Sequence, residues 1–158
     1  MSPRAALAGL ASIFTLIAPT AQSRTEGVLL PAPILASPAS TGLQTAILSG
    51  GCFWGVQGVF SHVRGVRRVI SGYVGGAAAT AHYEEVSTGQ TGHAESVEVW
   101  FDPKEISYGQ LLQIFFSVAL DPTEVNRQGP DVGPQYRSVV WAMDPEQARE
   151  ATAYIRQL

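Results

Sequence analysis

Cysteine is almost absent from this chain. Cys52 is its single thiol among 158 residues, so no intramolecular disulfide can form and no cysteine-rich zinc site can be built. Charge is also sparse: ten Lys and Arg stand against thirteen Asp and Glu, a net charge of −3, with no basic run. That excludes the electrostatic footprint of a nucleic-acid binder. No apolar run is long enough to cross a bilayer. The uncharged stretch Ala5 to Ala18 falls short of the roughly 20 residues a helical span requires, so no stable membrane association is expected. Arg4 precedes that stretch and Pro19-Thr20-Ala21-Gln22-Ser23 follows it, with small residues placed for a cut. Residues 1–23 therefore read as a secretory signal peptide, and the protein is expected to be exported, periplasmic or secreted. Residues 24–43, rich in Pro, Ala and Ser and without a structural period, read as a linker or mobile arm. Internal repeats are missing too.

From Gln44 onward the apolar spacing switches between sheet and helix. Ala46 to Ser49 predicts a short buried strand; Val56, Val59, Phe60 and Val63 then recur at helical spacing in a helix starting at or near Cys52, with Gly65 placed to stop it. Arg68 to Tyr73 predicts a second strand ended by Gly75-Gly76, and Tyr83 to Ser87 and Ala94 to Phe101 two more. Ser107-Tyr108-Gly109-Gln110 is a capping-box pattern opening a helix expected to bury Leu111, Leu112, Phe115, Phe116 and Val118. A polar loop follows from Asp121 to Gln135, then a strand over Ser138 to Met143. Asp144-Pro145 starts a last helix, with proline in the first turn where its missing N–H costs nothing. The order reads β-α-β-β-α-β plus a terminal helix. It predicts an α+β, ferredoxin-like sandwich rather than a doubly wound parallel sheet.

Within this frame Gly51-Cys52-Phe53-Trp54-Gly55 carries the most chemistry. A thiol at a strand-to-helix turn lies near the N–H groups of a helix N-terminus, a field that favours thiolate. The two aromatics can wall an apolar pocket beside the sulfur. A buried structural cysteine is the bland alternative. Glu95 shares strand parity with Val97, Val99 and Phe101, while Ser96 and Glu98 point the other way. An inward carboxyl resists ionisation, so Glu95 is a candidate proton donor; the alternative is a strand end that reaches water. Tyr83 and Tyr136 can supply hydroxyl donors or simply be sheet residues with wet tips. Asp131 reads most economically as a turn residue. His62 and His82 read as solvated and His93 as a loop residue. None of the three stands at ligand spacing to Cys52, so no metal is expected.

These residues fall into ordered blocks: Gly51-Cys52-Phe53-Trp54-Gly55, Gly72-Tyr73-Val74-Gly75-Gly76, Tyr83-Glu84-Glu85-Val86 and Thr91-Gly92-His93-Ala94-Glu95. Asp121-Pro122-Thr123, Arg127 to Gly133 and Gln135-Tyr136-Arg137-Ser138 continue them. From Thr45 to the end the chain resembles the A-type peptide methionine sulfoxide reductases. The resemblance implies that Cys52 attacks the sulfoxide sulfur and that Phe53 and Trp54 hold the substrate methyl group. It implies that Glu95, Tyr83 and Tyr136 surround the sulfoxide oxygen with Glu95 donating the proton, and that Asp131 joins that network. It implies action on methionine-S-sulfoxide, free and in oxidised proteins, by a monomer without metal or organic cofactor. The product on the enzyme would be a Cys52 sulfenic acid, reduced by an external thiol such as a thioredoxin-like protein.

The chain departs from the family pattern in two places. Leu120 precedes Asp121-Pro122 where a histidine or other polar residue is usual. The family also usually continues through another strand and a tail that often bears resolving cysteines, so the domain over 44–158 is expected to be C-terminally incomplete. Two other readings compete: a cysteine peroxidase or redox sensor, and a catalytically impaired remnant that only binds oxidised peptides. The peroxidase reading gives the Phe53-Trp54 pair and the inward Glu95 no purpose.

Overall fold

The computed structural model describes residues 28–35 and 41–158. The expected signal peptide over 1–23 lies outside the described residues. Four strands form the central sheet: β1 (Gln44–Ser49), β2 (Val66–Val74), β3 (Ala94–Phe101) and β6 (Val139–Trp141). Their order is β2-β3-β1-β6, with every neighbouring pair antiparallel. Helices α1 (Phe53–Ser61) and α3 (Tyr108–Ile114) make the two crossovers, and α4 (Pro145–Gln157) packs on α3. This is the expected ferredoxin-like arrangement.

Period-two patterning places Ala46 and Leu48 of β1 and Val97, Val99 and Phe101 of β3 on one face, all fully buried. Val56 and Phe60 of α1, and Leu111 and Leu112 of α3 with Phe115 beyond it, close over them in one core. Burial of this apolar surface, worth about 25 cal/mol per Å², drives the sandwich together. The capping box forms in full: the Ser107 hydroxyl accepts from Gln110 N, and the Gln110 side chain accepts from Ser107 N. Ser107→Ala should therefore lower stability by about 1 kcal/mol, read as an earlier urea midpoint with an unchanged slope. Asp144 caps α4 in the same way, accepting from Gln147 N with Pro145 in the first turn.

Three expectations are corrected. Tyr83–Ser87 is not a strand: α2 (Tyr83–Val86) is a single helical turn in which Ser87 N donates to Tyr83 O at 2.9 Å. Glu84 and Glu85 sit in its first turn, where acidic side chains favour the helix, and the run Tyr83-Glu84-Glu85-Val86 lacks the period-two alternation of a strand. Removing it leaves four main strands, as the β-α-β-β-α-β order requires. Val118, expected in the core, is 60% exposed. Residues Phe115–Ala119 continue α3 as a wider π turn, which rotates the later side chains away from the helical spacing. The long polar loop holds a small hairpin, β4 (Arg127–Gln128) paired with β5 (Asp131–Val132).

Part of the segment expected as a linker or arm lies along α3 and α4. Leu30 N donates to the Ser117 hydroxyl, Gln113 Nε2 to Leu30 O and Tyr154 Oη to Pro31 O. Gln157 bonds Ile34 N and Ala32 O. Leu120 is buried and rests against Gly50, so an apolar residue suits that position in this chain.

Candidate active site

One end of the sheet gathers every candidate residue. β1 and β2 finish there and β3 and β6 begin there, because the crossovers return the chain to the same edge. After β1 the backbone turns through Gly51 at φ +88° into α1, with Cys52 as the N-cap. A side chain at position 51 would be doubly wrong. It would adopt a left-handed conformation, and its Cβ would stand 2.6 Å from Gln128 Cβ. Gln128 is held in turn by a reciprocal pair of bonds to the backbone N–H and carbonyl of Asp121. Cys52 is half-buried, and its side chain makes no capping bond to the helix.

Glu95 faces the core side of β3 as its parity predicts and is 5% exposed. Its Oε2 accepts from Phe53 N, the first N–H of α1, at 2.9 Å. One hydrogen bond therefore ties the carboxyl to the residue next to the cysteine. Burial pushes the Glu95 pKa up; the Phe53 bond opposes this, and the nearby Asp131 charge adds to the rise. The carboxyl therefore holds its proton to higher pH than an ordinary glutamate.

The aromatics surround this pair. Phe53 is buried with its ring centroid 6.0 Å from Trp54 and 5.6 Å from Tyr73, while Trp54 is 69% exposed at the rim. Tyr136 is held on the turn Pro134–Tyr136, its N–H donating to Gly133 O at 3.0 Å. Burial raises its pKa, and then the charges of Glu95, Asp131, Tyr83 and Cys52 raise it further. Its hydroxyl remains a proton-bearing donor in the company of all four. Tyr83, on α2, is more than half exposed and lies within electrostatic reach of both Tyr73 and Tyr136. The structure thus brings Cys52, Phe53, Trp54, Tyr83, Glu95, Asp131 and Tyr136 to one place.

Sequence reasoning gave Tyr73 no role and read His93 as a loop residue. Tyr73 lies directly opposite Glu95 across the β2–β3 ladder, so both share the core face. Its pKa is raised first by burial and then by Glu95. The register between two distant strands is the signal that finds it, and no local pattern carries that register. His93 is buried rather than a free loop residue: Nδ1 accepts from Gly76 N at 3.2 Å, and Nε2 donates to Ala77 O at 3.0 Å. That pairing assigns the Nε2–H tautomer and closes the turn after β2 onto the start of β3. His62 and His82 are exposed. Among the described residues, no group of three or more His, Cys, Asp or Glu side chains is placed to hold a metal ion.

A half-buried thiol, a buried carboxyl of raised pKa bonded to the adjacent N–H, hydroxyl donors and an aromatic wall together suit attack on a polarised oxygen-bearing centre with an apolar substituent. Comparison with known proteins agrees with this chemistry. The family model described as peptide methionine sulfoxide reductase matches residues 44–158. Peptide methionine sulfoxide reductase MsrA 2 of Mesorhizobium japonicum is 59% identical over 120 residues, covering 76% of this chain and 62% of that protein. The MsrA 2 protein of Synechocystis is 54% identical over 134 residues, covering 82% and 63%. The chain therefore spans about six-tenths of the length of these curated relatives. Among solved structures, methionine sulfoxide reductase A of Corynebacterium diphtheriae superimposes with a TM-score of 0.67 at 30% identity, covering 86% of this chain and 70% of that one. The site's residues and these likenesses converge on one conclusion: this chain belongs to the peptide methionine sulfoxide reductase A family.

Proposed function

We propose that this chain reduces methionine-S-sulfoxide, free and within oxidised proteins, to methionine. The observation that carries the reading is the bond from Phe53 N to Glu95, which places a buried carboxyl of raised pKa beside the single thiol. A sulfoxide sulfur is a weak electrophile until its oxygen is protonated or strongly hydrogen-bonded, so nucleophile and acid must act at one locus. In the proposed reaction the substrate methyl lies against Phe53 and Trp54, and the oxygen points to Glu95, Tyr83 and Tyr136. Asp131 helps keep the Glu95 proton in place by its charge.

The Cys52 sulfur then attacks the sulfoxide sulfur as thiolate while Glu95 gives its proton to the oxygen. The methionine sulfur gains two electrons and leaves as the thioether. The cysteine sulfur loses two and carries the oxygen away as sulfenic acid. An external thiol, such as a thioredoxin-like dithiol, condenses with the sulfenic acid and releases water. Its second sulfur breaks the mixed disulfide and restores Cys52.

Purified protein incubated with excess dithiothreitol and each sulfoxide epimer tests the reading by mass spectrometry. Turnover of the S epimer with the R epimer untouched is expected. Equal turnover of both, or binding of the S epimer without turnover, would overturn it.

A further inference from the structure

We propose that Arg137 is the positioning residue of this site, holding the loop that leads to Glu95 and the turn that carries Tyr136 at a fixed separation. Its guanidinium donates to three backbone carbonyls in two segments. Nη1 reaches Pro134 O at 2.8 Å and His93 O at 3.1 Å, and Nη2 reaches Gly92 O at 2.9 Å. Pro134 lies two residues before Tyr136, and His93 two residues before Glu95. Among the described residues no carboxylate pairs with Arg137, so its bonding serves the two loops.

A third element is tied in through Trp141. The guanidinium lies 5.9 Å from the centre of the Trp141 ring, and Trp141 Nε1 donates to Ser49 Oγ at 2.8 Å. Ser49 Oγ meets Ser96 Oγ at 2.7 Å, and Ser96 Oγ donates to Ala94 O. With those two donations assigned, the Ser49 hydroxyl proton is left to point at Ser96. Ser49 ends the strand that delivers Gly50, Gly51 and Cys52, and Ser96 adjoins Glu95. The relay therefore links the approaches to Cys52, Glu95 and Tyr136. Gly75, at φ +103°, leaves the space the guanidinium needs: a Cβ there would lie 2.9 Å from both Arg137 Nη2 and Trp141.

A planar fork of N–H donors can serve carbonyls in two loops at once, whereas a lysine ammonium presents a single point. Arg137 contributes nothing to the buried apolar cluster, so its loss leaves the core packing in place. What changes is the separation of the site groups, and a displacement near 1 Å can cost about 10²-fold in rate.

The inference rests on the reductase reading, and its test separates the two. The variants are Arg137→Gln and Arg137→Lys in the full chain, with kcat and KM measured on methionine-S-sulfoxide and dithiothreitol. The Glu95 carboxyl is titrated in parallel by 13C NMR, with Glu95→Gln to assign the signal. Facing Glu95 are Asp131 from β5, Tyr73 from β2, Tyr136 from its turn and the N–H end of α1; Arg137 is not among the charges that move it. Both variants should lower kcat about 10²-fold with KM within about threefold, and both should lower the Glu95 midpoint as water reaches the carboxyl. A lost nearby cation would instead raise that midpoint, and only in the glutamine variant. A wild-type kcat, or a Glu95 midpoint unmoved or raised in the folded Lys variant, would overturn the proposal. Sulfoxide turnover missing from the wild type, with the Glu95 midpoint still lowered in the variants, would sink the reductase reading and leave the positioning role standing.

Discussion

Cys52→Ser is expected to abolish reduction of methionine-S-sulfoxide, with a loss of at least about 10⁴-fold in kcat/KM under excess dithiothreitol. A hydroxyl at that position neither attacks sulfur at useful rate nor forms a sulfenic acid. The substitution should leave the fold intact, because position 52 is the N-cap of α1 and serine is among the best N-cap residues. The cysteine makes no side-chain bond to the helix it opens, so stability should be equal or slightly higher in the variant. Thermal unfolding and turnover measured on the same preparation check both halves. Retained turnover with a serine at this position would mean that the chemistry lies elsewhere. Cys52 therefore occupies a place where helix stability favours an oxygen and reactivity requires a sulfur.

Glu95→Gln is expected to lower kcat by about 10²- to 10³-fold while binding of the S epimer persists. The amide can still accept the bond from Phe53 N, so the local structure has no reason to move. It cannot transfer a proton to the leaving oxygen. In the proposed reaction the donor is the protonated carboxyl. Activity attributable to it should therefore fall as pH rises through the Glu95 pKa, which burial holds above the ordinary glutamate value. That falling limb should be missing from the residual activity of the variant. Stability carries the same sign. Between the ordinary value and the raised one the folded state binds more protons than the unfolded state, so wild-type stability decreases as pH rises through that window. Glu95→Gln lacks this loss, and urea midpoints measured across the window should converge at low pH and favour the variant at high pH. An unchanged kcat would remove Glu95 from the role of acid. A pH-independent difference in midpoint would remove the burial argument.

Much of the site follows from residues close together in sequence. The Gly51-Cys52 turn, the helix it opens and the aromatic neighbours Phe53 and Trp54 occupy consecutive positions, and local geometry decides their arrangement. Inward placement of Glu95 follows from parity, since Val97, Val99 and Phe101 can be buried only on one face of β3. The caps at Ser107 and Asp144 are likewise local, each a side chain bonding an N–H three residues on. Tyr83 marks where local pattern fails. The short run Tyr83 to Ser87 ahead of the Gly89 to Gly92 turn suits a hairpin strand, but the chain closes a helical turn there, with only Val86 buried.

Local sequence alone places Cys52 at a helix-opening turn, Glu95 inward, Phe53 and Trp54 beside the thiol, and most of the strands and helices in their order. Those depend on period and on short-range bonds. Three arrangements come only from long-range packing: Tyr73 lies across from Glu95, Gln128 backs Gly51, and Arg137 joins the loops before Glu95 and Tyr136. Each of these depends on strand register or loop approach between residues distant in sequence. Such contacts are set by how the whole core packs, and no window of neighbouring residues encodes them.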